Sequence, residues 1–596
     1  MADTENHLSR DMTRRSFLAV GSAALVGASV VRDGWAETTN SSPSYVVVET
    51  TYGRVRGARG KGLVRFKGIP YAGSVSGANR FKAAPPLQPW KGVRDALEFG
   101  PPSIQAQPPS RSGRPSFQPA PAEDCLFLNV WTPAADGRKR PVMFYNHGGG
   151  FVVGSAAAPY QDGSNLARVW DVVVVATNHR LGLLGYLYLG GVAGEEYVTS
   201  GNQGLEDIRD GLKWVRDNIE SFGGDPDNVM IFGESGGGAK TSCLYAMPSA
   251  DPYFNKASVE SGPALRLCPK ESAEETTVLV LKSLGLDKSQ WRRLLEIPAD
   301  KLLQVQTSLG RSGNAQPAKG HNHAPSPSTF GGFSLKNRLE NARYGFTWSG
   351  AGGRFGPMLD GFIMPRDPFY PTAPPISKGK PLMVGYNRDE MNFFFAQMHA
   401  TSVYSLTQAT LKERLDKELG RYADQVLAAY KRSRPTASPS DLYVAITTAL
   451  FDVIGSTMIA ERKYEQQGAP VYMYCFVHES KRVIPGTDHI FGAAHASEIV
   501  YKFDNVPSPD LGAPGEKFRG GGIFGGGGPS SVETAHNMSE LWTTFARTDR
   551  PAAKGQPAWD PYTTGKRATM LINAQCKVVD DPWRLERQVW DEVDPG

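Results

Sequence analysis

The chain has 596 residues, of which 40% are hydrophobic, so it is long enough to bury a large core without the help of disulfides. Its 65 Lys and Arg residues nearly balance its 60 Asp and Glu residues, and the formal net charge is +5 without a basic run. This balance argues against nucleic acid as a partner, because such a partner requires basic residues clustered on one surface.

Residues 1–36 have the pattern of an export signal. Arg14 and Arg15 precede the apolar stretch Phe17–Val31, and small residues follow it. This order resembles a twin-arginine signal peptide. The apolar stretch is shorter than the ~20 residues that span a bilayer, and we expect no later stretch to approach that length and no stable membrane span. The sequence therefore predicts export in the folded form by the twin-arginine machinery, a mature chain beginning near Glu37, and a periplasmic or secreted location in a bacterium.

An apolar run followed by three glycines predicts one part of a catalytic site. Val142–Tyr145 indicates a strand, and His147–Phe151 follows it with glycine at its three central positions. Glycine lets successive backbone N–H groups turn toward one point with no side chain in the way. The pattern is typical of the loop that completes an oxyanion hole, with Gly149 and Gly150 as the candidate donors.

The next segment predicts a strand, a helix and a further strand. Val172–Ala176 is an apolar, β-branched run, typical of a strand buried on both faces. From Leu205 to Ile219 apolar residues recur at steps of three and four, as in an amphipathic helix. Phe222–Pro226 then indicates a turn into the next strand. This order favours the α/β class, in which sites lie at the carboxyl ends of the strands.

The most informative motif follows that turn. The apolar run Val229–Phe232 leads into Gly233–Gly237, which has the G-x-S-x-G pattern of a nucleophile elbow. In such an elbow the serine occupies a strained turn between a strand and a helix, and its hydroxyl stands at the edge of the sheet. Ser235 is therefore the candidate nucleophile, and the N–H group of Gly236 is a third candidate oxyanion donor.

Four further blocks resemble, in the same order, those of the type-B carboxylesterase family: Glu123–Asn129, Asn178–Gly182, Gly201–Leu205 and Phe222–Pro226. The resemblance covers nearly all of the chain after the export signal. It implies an α/β-hydrolase fold, with a large and mostly parallel central sheet, helices on both faces, and insertions over its carboxyl edge. It also implies hydrolysis of a small-molecule carboxylic ester through a Ser-His-Glu triad and a covalent acyl-enzyme, with no cofactor or metal.

A serine nucleophile needs a base, and this fold orders the triad as Ser, Asp or Glu, then His. Two histidines beyond Ser235, His489 and His495, lie in a loop-like stretch after the apolar run Val471–Val477. His495, with Glu498 three residues later, resembles the catalytic histidine of the family. His489 remains the alternative.

The acid is expected between the nucleophile and the base. Pro381–Gly385 indicates a strand, and the segment Tyr386–Glu390 ends it. This segment resembles the N-x-x-E segment of the family, in which the glutamate holds the catalytic histidine. Because Met391 stands where the family usually has glycine, Asp389 remains an alternative to Glu390.

The resemblance also implies a secondary polar network around the triad, made of Glu234, Ser261 and Glu498. The alternative is that these side chains are ordinary polar groups near a buried turn. The family often pairs the cysteine of its Glu-Asp-Cys block with one upstream, but Cys125 is the first cysteine of this chain, so that disulfide cannot form.

No internal repeat or long linker divides the remainder, so residues 37–596 are predicted to form a single domain. Two glycine-rich stretches, Gly310–Gly353 and Phe518–Ser531, are predicted to be surface loops, because neither has the lysine pattern of a phosphate-binding loop. His321 and His323 lack carboxylate or thiol neighbours, which argues against a metal site.

Two other readings of the same fold stay open. An amidase or a lactonase would use the same triad on a different leaving group. A binding module of the family would lack the nucleophile, whereas Ser235 and His495 are both present. The acyl and alcohol pockets are not defined by the sequence, and Phe151 and Phe393–Phe395 are the candidates to line them.

Overall fold

The computed structural model describes four ranges of the chain: residues 44–106, 119–311, 355–506 and 528–593. The predicted signal peptide, the predicted start near Glu37, His321 and His323 lie outside the described residues. Those expectations therefore stay predictions.

Fifteen strands lie in the described ranges. They are β1 (Ser44–Thr50), β2 (Gly53–Gly60), β3 (Leu63–Pro70), β4 (Val93–Asp95), β5 (Phe127–Thr132), β6 (Arg140–Asn146), β7 (Val173–Thr177), β8 (Gly224–Glu234), β9 (Lys256–Glu260), β10 (Leu382–Asn387), β11 (Val471–Phe476), β12 (Ser480–Val483), β13 (Ile490–Gly492), β14 (Ala568–Ile572) and β15 (Lys577–Asp580).

Thirteen of these strands form one sheet within the described residues, in the order β1-β2-β3-β5-β7-β6-β8-β9-β10-β11-β14-β15, with β4 paired to β2. In that order, every neighbouring pair from β7 through β6, β8, β9, β10 and β11 to β14 is parallel. The next pairs outward, β5 with β7 and β14 with β15, are antiparallel. Strands β12 and β13 pair separately. The parallel centre brings the carboxyl ends of β6, β8, β10 and β11 to one edge.

The helices connect and cover these strands. They are α1 (Ser164–Trp170), α2 (Gly182–Tyr186), α3 (Gly190–Ala193), α4 (Gln203–Asn218), α5 (Gly236–Ala246), α6 (Lys270–Ser283), α7 (Ala299–Arg311), α8 (Met391–Gln397), α9 (Gln408–Leu419), α10 (Ala423–Ser433), α11 (Pro439–Thr448), α12 (Ile454–Glu465), α13 (Ile499–Lys502), α14 (Pro529–Thr548) and α15 (Arg584–Glu592). Helix α14 begins inside the stretch predicted as a loop to Ser531, because Pro529 suits the first turn of a helix.

Both faces of the sheet are buried, which follows from the alternation of side chains along each strand. On β6, Val142 and Phe144 join a cluster that includes Leu212 of α4. The intervening Met143 joins a second cluster that includes Met538 of α14. A mostly parallel sheet with helices on both faces is therefore confirmed.

A third apolar cluster lies beyond the carboxyl end of β10. It joins α8, α9, α10, α11 and α15 through buried residues that include Phe394, Leu415, Val426, Leu442 and Trp590. Since α8 follows β10 directly, this helical insertion starts at the edge of the sheet where the strands end.

One sequence expectation about apolar stretches is wrong. A π-helical turn, Ala449–Val453, joins α11 to α12, so that Pro439–Glu465 is one helical run. Among the described residues this run of 27 residues is long and apolar enough to cross a membrane, and 72% of its most apolar window is buried inside the structure. Much of its apolar surface is thus already covered by the protein, as in a core helix.

Candidate active site

Ser235 lies in the turn between β8 and α5, where a strained backbone is held by its neighbours. Its φ is 60° and its ψ is −124°, a region that non-glycine residues rarely adopt. The N–H group of Ser235 donates to the carbonyl of Glu260 at 2.8 Å, and its own carbonyl accepts from Ala239 at 3.1 Å. These two hydrogen bonds fix the elbow to β9 and to the first turn of α5.

Glycines surround the elbow because other backbone passes too close for side chains. A Cβ atom on Gly237 would lie 2.0 Å from the carbonyl oxygen of Asn146, at the end of β6. One on Gly262 would lie 1.9 Å from the carbonyl oxygen of Ser235 itself. The glycine-rich sequence is therefore required by the close approach of three chain segments.

The side chain of His495 links the serine to a carboxylate. Its Nε2 lies 2.8 Å from the Oγ of Ser235, and its Nδ1 lies 2.6 Å from the Oε2 of Glu390. All three side chains are buried, with relative exposures of 4% or less. The geometry is that of a nucleophile, a base and an orienting acid.

Glu390 reaches the histidine, whereas its neighbour Asp389 does not. Glu390 is the residue before α8, and its other oxygen, Oε1, accepts the N–H group of Asn387 at 2.7 Å. The Asp389 carboxylate instead accepts the N–H group of Ala493 at 2.9 Å and pairs with Arg388 at 2.7 Å. The structure therefore brings together Glu390 and His495.

The alternative base, His489, lies elsewhere. Its Nε2 is 3.4 Å from Oδ1 of Asp441, and its ring stacks on Tyr404 with 4.8 Å between the ring centroids. His489 thus lies between β12 and β13 and packs against the helical insertion rather than beside Ser235.

Burial decides the charge of the base. It lowers the pKa of His495 to about 4, so the imidazole is neutral at neutral pH and its Nε2 is able to accept a proton. Burial raises the pKa of Glu390, while the hydrogen bond from the N–H group of Asn387 opposes that rise. A proton on Nδ1 of His495 satisfies the 2.6 Å contact with the carboxylate.

Two of the three predicted oxyanion donors belong to the glycine loop, and the third is the first residue of α5. Gly149 and Gly150 have φ values of 92° and 62°, which glycine adopts readily. A Cβ atom on Gly236 would lie 2.4 Å from the nitrogen of Gly150, so these two N–H groups are close neighbours. Among the described residues, none of the three N–H groups donates to a protein acceptor. All three N–H groups are therefore available to an external acceptor.

Glu234 approaches the same imidazole nitrogen that faces Ser235. Its Oε1 is 3.3 Å from Nε2 of His495, and its carboxyl group is 2% exposed. Burial, followed by the charges of Glu498 and Glu390, raises the pKa of Glu234 well above its ordinary value. Burial and the two neighbouring carboxylates thus favour the neutral form of Glu234 beside the base.

Glu498 and Ser261 lie behind the triad. The side chain of Asn387 donates to Oε2 of Glu498 at 2.6 Å, which links Glu498 to the segment that holds Glu390. Ser261 has a φ of 46°, and its N–H group donates to the carbonyl of Gly385 at 2.8 Å. Its hydroxyl lies close enough to Glu390 to lower the pKa of that carboxyl, although within the described ranges it has no hydrogen bond of ordinary geometry.

An aromatic wall surrounds the base. The rings of Phe393, Phe394 and Phe451 lie 5.7, 4.8 and 5.3 Å from the ring of His495. The first two were candidates from the sequence, but Phe451 lies in the π-helical turn, which no sequence pattern indicated. Phe151 is fully buried and packs edge-on against Tyr186, so it forms part of the core beneath the glycine loop.

A buried ion pair under the site was also missed. Lys502 pairs with Glu260, and both side chains have no exposed surface. No sequence pattern indicated this pair, because a lone lysine in a short helix is normally at the surface. Within the described residues no group of three or more His, Cys, Asp or Glu side chains is arranged to hold a metal ion.

Comparisons with known proteins show the family of the chain. Residues 44–590 match the model of the carboxylesterase family. A para-nitrobenzyl esterase of Bacillus subtilis is 33% identical over 547 residues, which cover 91% of this chain and 98% of that protein. Among solved structures, a carboxylesterase of Geobacillus stearothermophilus matches with a TM-score of 0.71 at 34% identity, over 91% of this chain and 99% of that one. An esterase of Clostridium hathewayi that can hydrolyze aliphatic aromatic polyesters matches with a TM-score of 0.69 at 30% identity, over 93% of this chain and 100% of that one.

Proposed function

The chain belongs to the carboxylesterase family, has the α/β-hydrolase fold and is a carboxylic ester hydrolase; from this premise we propose that it cleaves esters through a triad of Ser235, His495 and Glu390. The observation that carries the proposal is the imidazole of His495, whose two nitrogens lie 2.8 Å from the serine Oγ and 2.6 Å from the glutamate Oε2. Only neutral imidazole accepts the serine proton, and burial keeps this one neutral.

The reaction has two halves. In the first, Nε2 of His495 takes the proton of Ser235 while Oγ attacks the ester carbonyl carbon, and Glu390 stabilises the imidazolium. The carbonyl oxygen becomes an oxyanion that accepts hydrogen bonds from Gly149, Gly150 and Gly236, each typically contributing about 3–4 kcal/mol to lowering the barrier. The carbon–oxygen bond then breaks, and the alcohol leaves with the proton from Nε2.

In the second half, water replaces the alcohol. Nε2 takes a proton from the water as its oxygen attacks the acyl carbon, and collapse of the second oxyanion returns the proton to Oγ of Ser235. The carboxylic acid leaves and the serine is regenerated. Glu234, Ser261 and Glu498 support this cycle from outside the triad, since they contact or influence the base and the acid without lying where the substrate carbonyl would bind.

The aromatic wall favours substrates with an apolar or aromatic group next to the ester. His495, which gives its proton to the leaving alcohol, is surrounded by the rings of Phe393, Phe394 and Phe451. An apolar group of the substrate would pack on these rings without burying an unpaired polar atom. A para-nitrobenzyl ester, the kind of substrate named for the Bacillus relative, has that chemistry.

Substitution of the nucleophile tests the triad. We expect Ser235→Ala to reduce the hydrolysis of p-nitrophenyl and p-nitrobenzyl esters by several orders of magnitude, since only binding and the oxyanion donors remain. The thermal melt should stay close to wild type. A phosphonate reagent should label Ser235 alone, and labelling of a different serine, or a tenth of the wild-type rate in the variant, would contradict the proposal. Amides and lactones in the same panel define the leaving groups that the site accepts.

We further propose that residues 1–36 direct export by the twin-arginine route and that residues 37–596 form one domain in the periplasm or outside the cell. Support comes from the paired Arg14 and Arg15 before an apolar stretch. We expect Arg14→Lys/Arg15→Lys to leave active, unprocessed protein in the cytoplasm, because the rigid guanidinium fork is recognised. The matched control is Arg10→Lys. Normal export of the double variant, measured by fractionation and amino-terminal sequencing, would contradict this route.

A further inference from the structure

Helix α5 carries one charged residue, and that residue is completely buried. Its sequence from Gly236 to Ala246 is otherwise made of small, apolar or hydroxyl side chains and one tyrosine, but Lys240 occupies its fifth position with no exposed surface. Lys240 lies four residues beyond Gly236, just over one helical turn or about 6 Å along the axis. It therefore lies directly behind the elbow.

The ammonium group of Lys240 contacts the glycine loop from inside. Its Nζ donates to the carbonyl oxygen of His147 at 2.9 Å and lies 5.6 Å from the centre of the Phe151 ring. His147 and Phe151 are the residues that flank the three glycines of the loop. A second contact links His147 to a predicted oxyanion donor. Nδ1 of His147 lies 2.8 Å from the carbonyl oxygen of Gly148, which belongs to the same peptide group as the N–H of Gly149.

Among the residues that the structure describes, no carboxylate neutralises this lysine. Within the described ranges it forms no ion pair, and the titratable groups that face it are His147 after β6, His179 after β7 and Cys243 on its own helix. Burial, followed by the charge of Lys240, lowers the pKa of both His147 and His179 well below the ordinary value, so they stay neutral. Burial also lowers the pKa of Lys240 to about 7. Its charge is thus uncompensated, which is costly unless a negative charge forms nearby.

We propose that Lys240 is a positioning residue of the oxyanion hole, where it holds the glycine loop through His147 and supplies a positive charge behind the developing oxyanion. This inference rests on the proposed function. The buried ammonium ion attracts an oxyanion through a medium of low dielectric constant, and it does so without reorganisation during the reaction. Its hydrogen bond also polarises the peptide groups that lead to Gly149. The charge matters most in the transition state, because the ester carbonyl carries little charge in the ground state.

The test is the pH dependence of kcat and KM for p-nitrophenyl acetate in three variants. Lys240→Met removes the charge and the hydrogen bond, whereas Lys240→Gln removes the charge and retains a donor. Lys463→Met is the matched control, since Lys463 is also fully buried, donates to backbone carbonyls of Ser377 and Lys378, and has a pKa lowered by burial to about 8.

At pH 6 we expect kcat to fall about tenfold in both Lys240 variants, while KM changes little and the thermal melt is retained. The kcat of the wild type should decline as pH rises through about 7, when Lys240 loses its proton. Both Lys240 variants should lack that decline, and Lys463→Met should keep it. A trifluoromethyl ketone that forms an oxyanion on Ser235 should bind the Lys240 variants more weakly than the control.

Two results would overturn the inference. A kcat decline near pH 7 that persists in both Lys240 variants would mean that another group titrates. An equal loss of kcat at every pH, with unchanged affinity for the ketone, would mean that Lys240 only packs the loop. Failure of the proposed function is distinguishable, because in that case the wild type and Lys463→Met would themselves show no turnover that depends on Ser235.

Discussion

Replacing Glu390 with glutamine should disable the base through its tautomer. Oε1 of Glu390 accepts the N–H group of Asn387 at 2.7 Å, and only an oxygen is able to remain there. The amide nitrogen of Glu390→Gln must therefore occupy the position of Oε2, 2.6 Å from Nδ1 of His495. Because an NH2 group donates, Nδ1 must accept, and the single proton of the imidazole moves to Nε2, which faces Ser235. The base then has no free electron pair for the serine proton.

The expected loss follows from that change. A neutral amide neither holds the productive tautomer nor stabilises the imidazolium, and the corresponding change in a serine protease triad costs about 10⁴ in kcat. At about 1.4 kcal/mol per factor of ten, this equals about 5–6 kcal/mol in the barrier. The fold should persist, since the hydrogen bond from Asn387 is kept. Initial rates of p-nitrophenyl acetate hydrolysis and a thermal melt measure both quantities.

Asp389→Asn is the matched control for Glu390→Gln. Asp389 is the adjacent carboxylate, but its contacts are Arg388 and the N–H group of Ala493, and an asparagine oxygen is able to keep the latter. We expect a loss of less than tenfold. A rate for Glu390→Gln within tenfold of wild type, or equal losses in both variants, would refute the reasoning from the two oxygens.

Two further expectations concern pH and stability. Burial lowers the pKa of His495 to about 4, so the base stays neutral as pH falls. In a pH profile of kcat/KM, the acid limb should therefore lie below the ordinary histidine value of about 6.5. An acid limb at or above 6.5 would contradict the burial argument. Lys502→Met should destabilise the fold by about 3–5 kcal/mol in urea unfolding, since it leaves Glu260 buried without its cation. The double variant Lys502→Met/Glu260→Gln should lose clearly less stability, because Trp542 and Ser258 still donate to the remaining oxygen. Equal losses of stability in the two variants would show that the ion pair contributes little.

The fold class and the family were predictable because they depend on local patterns. Val142–Tyr145 and Val172–Ala176 are apolar at every position, as strands buried on both faces must be, and the elbow motif has its own backbone requirement. The acid was harder to predict. Asp389 and Glu390 differ by one position, and which of them faces the histidine depends on how the chain turns after β10, where Asp389 is held by Ala493 from a distant segment.

The charged residues behind the site were hard to predict for a related reason. A lysine on a helix normally indicates a solvated face. The burial of Lys240 depends on the loop after β6, and that of Lys502 depends on β9, neither of which is local in sequence. One signal for Lys240 was present, since α5 has no other charged residue and so lacks the polar face of a surface helix.

Contacts between residues far apart in the chain make the triad a measure of complete folding. The serine and histidine side chains that meet at 2.8 Å are 260 positions apart, and the glutamate is 105 positions before the histidine. Such long-range closure comes late when a chain folds, because the loop entropy must be overcome before these contacts form. A covalent serine reagent would therefore label only molecules whose sheet is assembled from β8 to β11. The labelled fraction, followed during refolding, would report when the segments that carry the triad come together.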